Sequence, residues 1–199
     1  MIQADQLLKL LYDNRKKILQ NQRGDEIDVY LFLRKQYNET DVSKNLVFQY
    51  VFRKYFVMDR WTNDTYTFHF FNNMEKIRSN AQMVLIPQVC KELMKYDKDG
   101  KVYFSYTTKM FHIVNPDIPL YDNLVSKVFK FYPLYSKSVD AKLKKYMDFL
   151  THMRDCYEAI RKEDKIDGLI ATYREKYPQI TNAGYTKVMD FMIWSLNRN

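Results

Sequence analysis

The chain has 199 residues, 46% apolar and 28% charged, with a formal net charge of +8, a globular balance with enough apolar side chains for one large core or two small ones. Only 4 Gly and 5 Pro are present, too few for the tight turns of a hairpin-rich β fold, so helices are expected. The two cysteines, Cys90 and Cys156, stand in no Cys-x-x-Cys or Cys/His cluster, and no zinc or other metal site is expected.

In chain order, helical spacing starts at Gln3 and runs to Gln22 through Leu7, Leu8, Leu11, Ile18 and Leu19, and Arg23-Gly24-Asp25 stops it. A second helix is predicted from Asp25 to Tyr37. Thr40 or Asp41 can cap a third that runs to about Met58, with Val42, Leu46, Phe48, Tyr50, Val51, Phe52 and Phe56 expected to pack on more than one side. Thr65 to Arg78 reads as a helix, with a short strand as the alternative, and Gln82 to Tyr96 as a helix with Pro87 in its first turns. Lys98-Asp99-Gly100 is a turn. Val102 to Tyr106 alternates like a strand, but its continuation into Thr107 to Val114 at helical spacing favours a helix.

Pro116 and Pro119 end that helix, because residues before proline are pushed out of the α region. Asp122 starts the next helix, and Pro133 with the 135–138 loop leads to a long one over Val139 to Glu163. Ile166 to Tyr177 follows, and Tyr185 to Leu196 closes the chain as a short amphipathic helix. The N-terminus lacks the basic-then-apolar order of a signal peptide, and no apolar run reaches the roughly 18 residues of a membrane span, so a cytoplasmic location without membrane contact is expected. The fold class expected is all-α: a multi-helix single domain over 1–199, with two helical lobes as the alternative reading.

Between Lys101 and Lys145, eight lysines stand against three aspartates, interleaved with Tyr103, Phe104, Tyr106, Phe111, Tyr121, Phe129, Phe131, Tyr132 and Tyr135. A phosphate backbone and unstacked bases call for that mixture, and a solvated lysine face over an aromatic core is the plainer alternative. Within this window, Ser105, Lys109 and His112 share one helical face. A lysine among aromatics can lose basicity by desolvation and act as a nucleophile, or it can snorkel to water. His112 can serve catalysis or hold the structure. Asp122, at a helix N-terminus, meets free amides and the positive end of the helix dipole. It is either an N-cap alone or an ionised group able to stabilise a developing cation. No Walker loop, Rossmann glycine set, nucleophile elbow or His-Glu-x-x-His sequence is present, and no cofactor is expected.

The run from Lys109 through Pro119-Leu120-Tyr121-Asp122-Asn123-Leu124-Val125-Ser126-Lys127-Val128 resembles the second half of the helix-hairpin-helix DNA glycosylase signature. That resemblance implies the glycosylase architecture, Asp122 as the catalytic aspartate, Lys127 in the helix after it, and DNA rather than RNA as partner. The family's glycine-rich hairpin corresponds here to Lys98–Ser105, which holds one glycine. The chain also resembles a group of bacterial proteins of no assigned activity that carry Phe-Ser-Phe-x-Thr-Lys and Pro-x-Tyr-Asp. Phe104 to Lys109 and Pro119 to Asp122 match these motifs, and Tyr55 to Arg60 belongs to the same pattern. This resemblance supplies no activity and implies only that Tyr55, Asp59 and Arg60 share a site with the later motif. With the helical face and the helix-start aspartate, the site expected has Asp122 and Lys109 as catalytic and Ser105, His112, Tyr121, Lys127, Tyr55, Asp59 and Arg60 as substrate-binding, with Lys109 and Asp122 facing a common basic cleft. The function expected is nucleic-acid binding, with base processing at Asp122. The alternative is a non-catalytic helical module that binds nucleic acid or protein.

Overall fold

With glycine scarce and apolar residues at helical spacing, the backbone satisfies its polar groups within helices. A computed structural model describes residues 1–133 and 138–196, and no strand occurs among them. The helices are α1 Ala4–Asp13, α2 Arg15–Asn21, α3 Gly24–Glu39, α4 Leu46–Tyr55, α5 Asp64–Lys76 and α6 Ile86–Met94, then α7 Phe104–Val114, α8 Asn123–Val128, α9 Val139–Ile160, α10 Asp164–Lys176 and α11 Tyr185–Leu196. Single 3-10 turns stand at Met83–Leu85 and Pro178–Ile180. The all-α class is as expected. None of the helices is long and apolar enough to cross a membrane.

Three boundaries differ from the periodicity for local reasons. The helix expected over 3–22 is two, because the Asn14 side chain donates to the Leu10 carbonyl at 2.9 Å and ends α1 there. The helix expected from Thr40 or Asp41 starts at Leu46. Asp41 instead closes a turn, its Oδ1 accepting from the Ser43 amide at 3.0 Å and the Ser43 hydroxyl at 2.6 Å. Asn45 is the cap, its side-chain oxygen accepting from the Phe48 amide at 2.9 Å. Val102 and Tyr103 stay outside α7. Most of the loop expected over 135–138 lies outside the described residues.

The chain forms two compact units. The middle unit is 28–118, and the terminal unit joins 1–27 to 119–199. In the middle unit α5 and α6 both pack on α7 around a cluster of phenylalanines, with ring centroids 5.4 Å apart for Phe52 and Phe70 and 5.6 Å for Phe52 and Phe71. Edge-on ring contacts of this kind supply more stabilisation than area alone. Arg78 ties the end of α5 to the end of α3. Its guanidinium lies 4.1 Å from the Tyr37 ring centre and donates to the Thr40 carbonyl at 2.7 Å and to Glu75 Oε2 at 2.7 Å.

In the terminal unit α11 is the central element, packed against α1, α2 and α8, while α1 also lies on α9. Ten of its 12 residues are buried. The short amphipathic helix expected here is a core helix, buried on nearly every side. Its polar residues must find partners inside. Ser195 donates to Gln22 Oε1 at 3.0 Å, and Tyr173 of α10 donates to the same oxygen at 2.8 Å. The Tyr177 hydroxyl donates to the Gln22 backbone carbonyl at 2.8 Å. Gln22 thus joins α2, α10 and α11.

Gln22→Ala leaves the buried Tyr173 hydroxyl without its acceptor, while the Ser195 hydroxyl keeps the Phe191 carbonyl at 2.9 Å, so urea denaturation is expected to show a loss of about 1–3 kcal/mol. A loss below about 0.5 kcal/mol, the scale of a surface change, would contradict this role.

Candidate functional site

The middle unit gathers one group of the predicted residues around α7. Lys109 is 9% exposed, its ammonium 5.4 Å from the Phe56 ring centre and 5.5 Å from that of Tyr106. Its Nζ donates to Ser105 Oγ at 3.0 Å, the contact that i, i+4 spacing predicts. Buried His112 places Nδ1 2.7 Å from the Ile118 carbonyl, which fixes the proton on that nitrogen and ties α7 to the turn that follows it. The Tyr106 hydroxyl donates to the Val57 carbonyl at 3.0 Å. Burial pushes the Tyr106 phenol up to about 12.

The segment from Tyr55 to Arg60 thus meets α7 through Phe56 and Val57. Val57 adopts φ 55°, a left-handed conformation that a β-branched residue takes only under strain. Tyr55 packs its ring on Phe56, with centroids 4.7 Å apart. Asp59 pairs with Lys54 at 2.8 Å and with Arg53, and these hydrogen bonds hold its carboxyl below the ordinary range. Arg60 is exposed.

The terminal unit holds the rest. Asp122 is the N-cap of α8, with Oδ1 accepting from the Leu124 and Val125 amides, each at 2.9 Å. Both cap bonds use one oxygen, so Oδ2 is not needed for the cap. Tyr121 is buried edge-on against Tyr146 at 5.2 Å and Phe149 at 5.7 Å, and that burial pushes its phenol far above the ordinary range. Lys127 is exposed in the last turn of α8. Asp122 and Lys109 belong to different units.

The basic and aromatic window divides in the same way. Lys101 and Lys109 lie in the middle unit, Lys127, Lys130, Lys142, Lys144 and Lys145 in the terminal unit, and Lys137 outside the described residues. Its aromatics serve mainly as core, correcting the reading of them as a stacking surface: Phe104, Tyr106, Phe111, Tyr121, Phe129 and Phe131 are buried. Tyr132, at 76%, is the strongly exposed one among those described.

Around Tyr132 the surface is basic. Lys130 is exposed and takes φ 52°, closing the end of α8 where glycine is the usual residue. The Phe131 amide then donates to the Ser126 carbonyl at 2.8 Å. The Phe131 ring stacks on Phe149 of α9 at 4.2 Å, with the Lys145 ammonium 5.8 Å away. The last turn of α8 and the 129–133 loop thus carry Lys127, Lys130 and Tyr132, and Lys145 of α9 reaches the loop at Phe131. A separate cleft of about 850 Å³ lies between α1 and the α9–α10 junction, lined by Asp5, Lys9, Tyr12, Ile160 and Glu163 among others. None of the predicted site residues lines it.

Sequence reasoning missed a buried polar cluster behind Asp122. Lys187 and Asp190 of α11 are each 4% exposed. Asp190 Oδ1 accepts from the Tyr157 hydroxyl at 2.8 Å and Oδ2 from the Leu120 amide at 3.2 Å. The Lys187 ammonium lies 4.0 Å from the Phe191 ring centre and feels the charges of both Asp190 and Asp122. Burial lowers the basicity of Lys187 and raises the Asp190 carboxyl, and their mutual attraction opposes both shifts. The available signal was two opposite charges three residues apart inside an apolar run. Among the described residues no group of three or more His, Cys, Asp or Glu is placed to hold a metal ion. No family model matches the chain, and neither a curated protein nor a solved structure matches it.

Asparagine caps helices as well as aspartate does. Asp122→Ala is therefore expected to cost about 1 kcal/mol in thermal or urea denaturation, and Asp122→Asn only a few tenths. Equal losses for the two would show that the carboxylate charge, and not the cap, is what the fold uses.

Proposed function

We propose that this protein binds nucleic acid through the terminal unit, with Lys127, Lys130, Lys142 and Lys145 on the phosphate backbone and an unpaired base stacked on Tyr132. The observation that carries the reading is Lys130. A non-glycine residue in the left-handed region costs roughly 1–2 kcal/mol, a cost glycine would avoid at this surface position. The lysine there is exposed, two residues before the exposed Tyr132 ring. Few acids oppose it: Asp140 is the one acidic residue between Asp122 and Lys145. Backbone contacts of this kind release counterions, and an exposed aromatic ring stacks any base, so such a surface favours affinity over sequence choice.

The resemblance to helix-hairpin-helix DNA glycosylases makes DNA the favoured partner, and it supplies a second reading in which Asp122 processes an extruded base. What favours that reading is that the carboxylate caps α8 through Oδ1 alone, so the cap does not occupy Oδ2.

Binding to single- and double-stranded DNA is expected to weaken steeply with salt, each phosphate contact adding roughly 0.7–0.9 to the logarithmic slope. Lys130→Gly is the decisive variant, because it separates fold from function. It is expected to raise unfolding stability by about 1 kcal/mol while lowering the salt slope by about 1. Absence of any salt-sensitive binding would remove the reading in favour of a protein-interaction module. For base processing, wild type should release abasic product from a damaged duplex, and Asp122→Asn should bind equally and release none.

A further inference from the structure

The turn that connects α7 to α8 ends in the extended stretch Pro119 to Asp122, and the Asp122 carboxylate is useful only if the end of that turn is held still. Pro119 carries no N–H, Tyr121 is held by ring contacts, and the Leu120 amide is turned inward. A buried amide without an acceptor would cost about 1–3 kcal/mol, so the acceptor it meets is part of the turn's design.

We propose that Asp190 is a positioning residue for Asp122: its buried carboxylate clasps the Leu120 amide, and the buried Lys187 ammonium is the counter-charge for both carboxylates. The proposal rests on Asp122 being the working group of the reading above, while the clasp itself does not depend on any ligand. Asp190 is anchored from the other side by the Tyr157 hydroxyl of α9, so the turn, α9 and α11 share one carboxylate. The bonds from the Leu120 N–H and the Tyr157 O–H are both donated to it, and a carboxylate accepts both at once. A protonated carboxyl accepts more weakly from both donors, because the charge that strengthens these bonds is gone. Loss of the Asp190 charge therefore loosens the clasp.

The groups that face this pair are Tyr157 from α9, Asp122 at the start of α8 and the Leu120 amide from the turn. Tyr157 is fully buried and its phenol stays protonated far above neutral pH. Asp122 adds a negative charge that Lys187 offsets. The ammonium and the two carboxylates thus form one charge set, and removing the ammonium leaves two buried acids facing each other.

Amide hydrogen exchange on the intact chain tests this without nucleic acid. In Asp190→Asn the Leu120, Leu124 and Val125 amides are expected to exchange about tenfold faster or more, the scale of one charge-assisted hydrogen bond. Amides of α2 and α10 should change only by the amount of any global destabilisation. Lys187→Met should lower stability, and adding Asp190→Asn to it should restore part of the loss, since the double variant holds one buried charge fewer. If Asp190→Asn does not fold, the wild type decides: the Leu120 amide resonance should shift with the titration of the Asp190 carboxyl carbon followed by NMR. Leu120 protection unchanged in Asp190→Asn, or a Leu120 resonance indifferent to that titration, would overturn the clasp. Loosened amides with no DNA binding by wild type would leave the clasp standing and remove the reading of Asp122 instead.

Discussion

A carboxylate enclosed in a helical core is expensive, and in the terminal unit the expense is met by converging elements. Asp190 lies on α11, which is buried over ten of its 12 residues, so no water-exposed route remains for its charge. It draws on Tyr157 from α9, on the Leu120 amide from the turn before α8, and on Lys187 one helical turn away on α11. Breaking such a set leaves an uncompensated buried charge, which typically costs several kcal/mol, whereas a uniformly apolar replacement need not. The cluster therefore specifies more than it stabilises: it fixes where the turn before α8 must run. Asp122, and behind it the surface of α8, inherit that placement.

The same economy explains the aromatic content. Rings fill the space between short helices that few glycines allow to approach closely. Phe48, Phe52, Phe70 and Phe71 do this in the middle unit, and Tyr121, Phe129, Phe131 and Phe149 in the terminal one. Polar tips of buried tyrosines then serve as donors that bind elements together: Tyr106 to Val57, Tyr157 to Asp190, Tyr173 to Gln22. Among the described residues two non-glycine positions take positive φ, Val57 and Lys130, and both close helices. One supports α7 through its carbonyl, and the other lifts a lysine onto the surface.

Helix content and most helix positions were legible because apolar spacing dominates them; Tyr185 to Leu196 was placed to the residue, and the cap at Asp122 was read from one aspartate after a proline pair. Boundaries failed where a side chain competes with the backbone: Asn14 captures the Leu10 carbonyl and Asp41 closes a turn, and periodicity carries no record of either. The Ser105–Lys109 contact followed from helical spacing alone. Long-range pairing did not. Gln22 with Ser195, and Asp190 with Leu120, are 173 and 70 residues apart, and only packing brings them together. The role of α11 was misread for the same reason, since a window with Lys187 and Asp190 looks amphipathic until both charges are seen to be internally satisfied.

The claim that organises the function is that nucleic acid meets the terminal unit at the end of α8 and the start of α9. Two-dimensional NMR of the isotope-labelled chain titrated with a short single-stranded DNA tests it most directly. The account predicts that the largest amide shifts fall at Lys127 to Tyr132 and in the first two turns of α9, with α2 and α10 unmoved. Shifts confined to the middle unit, or none at all, would contradict it.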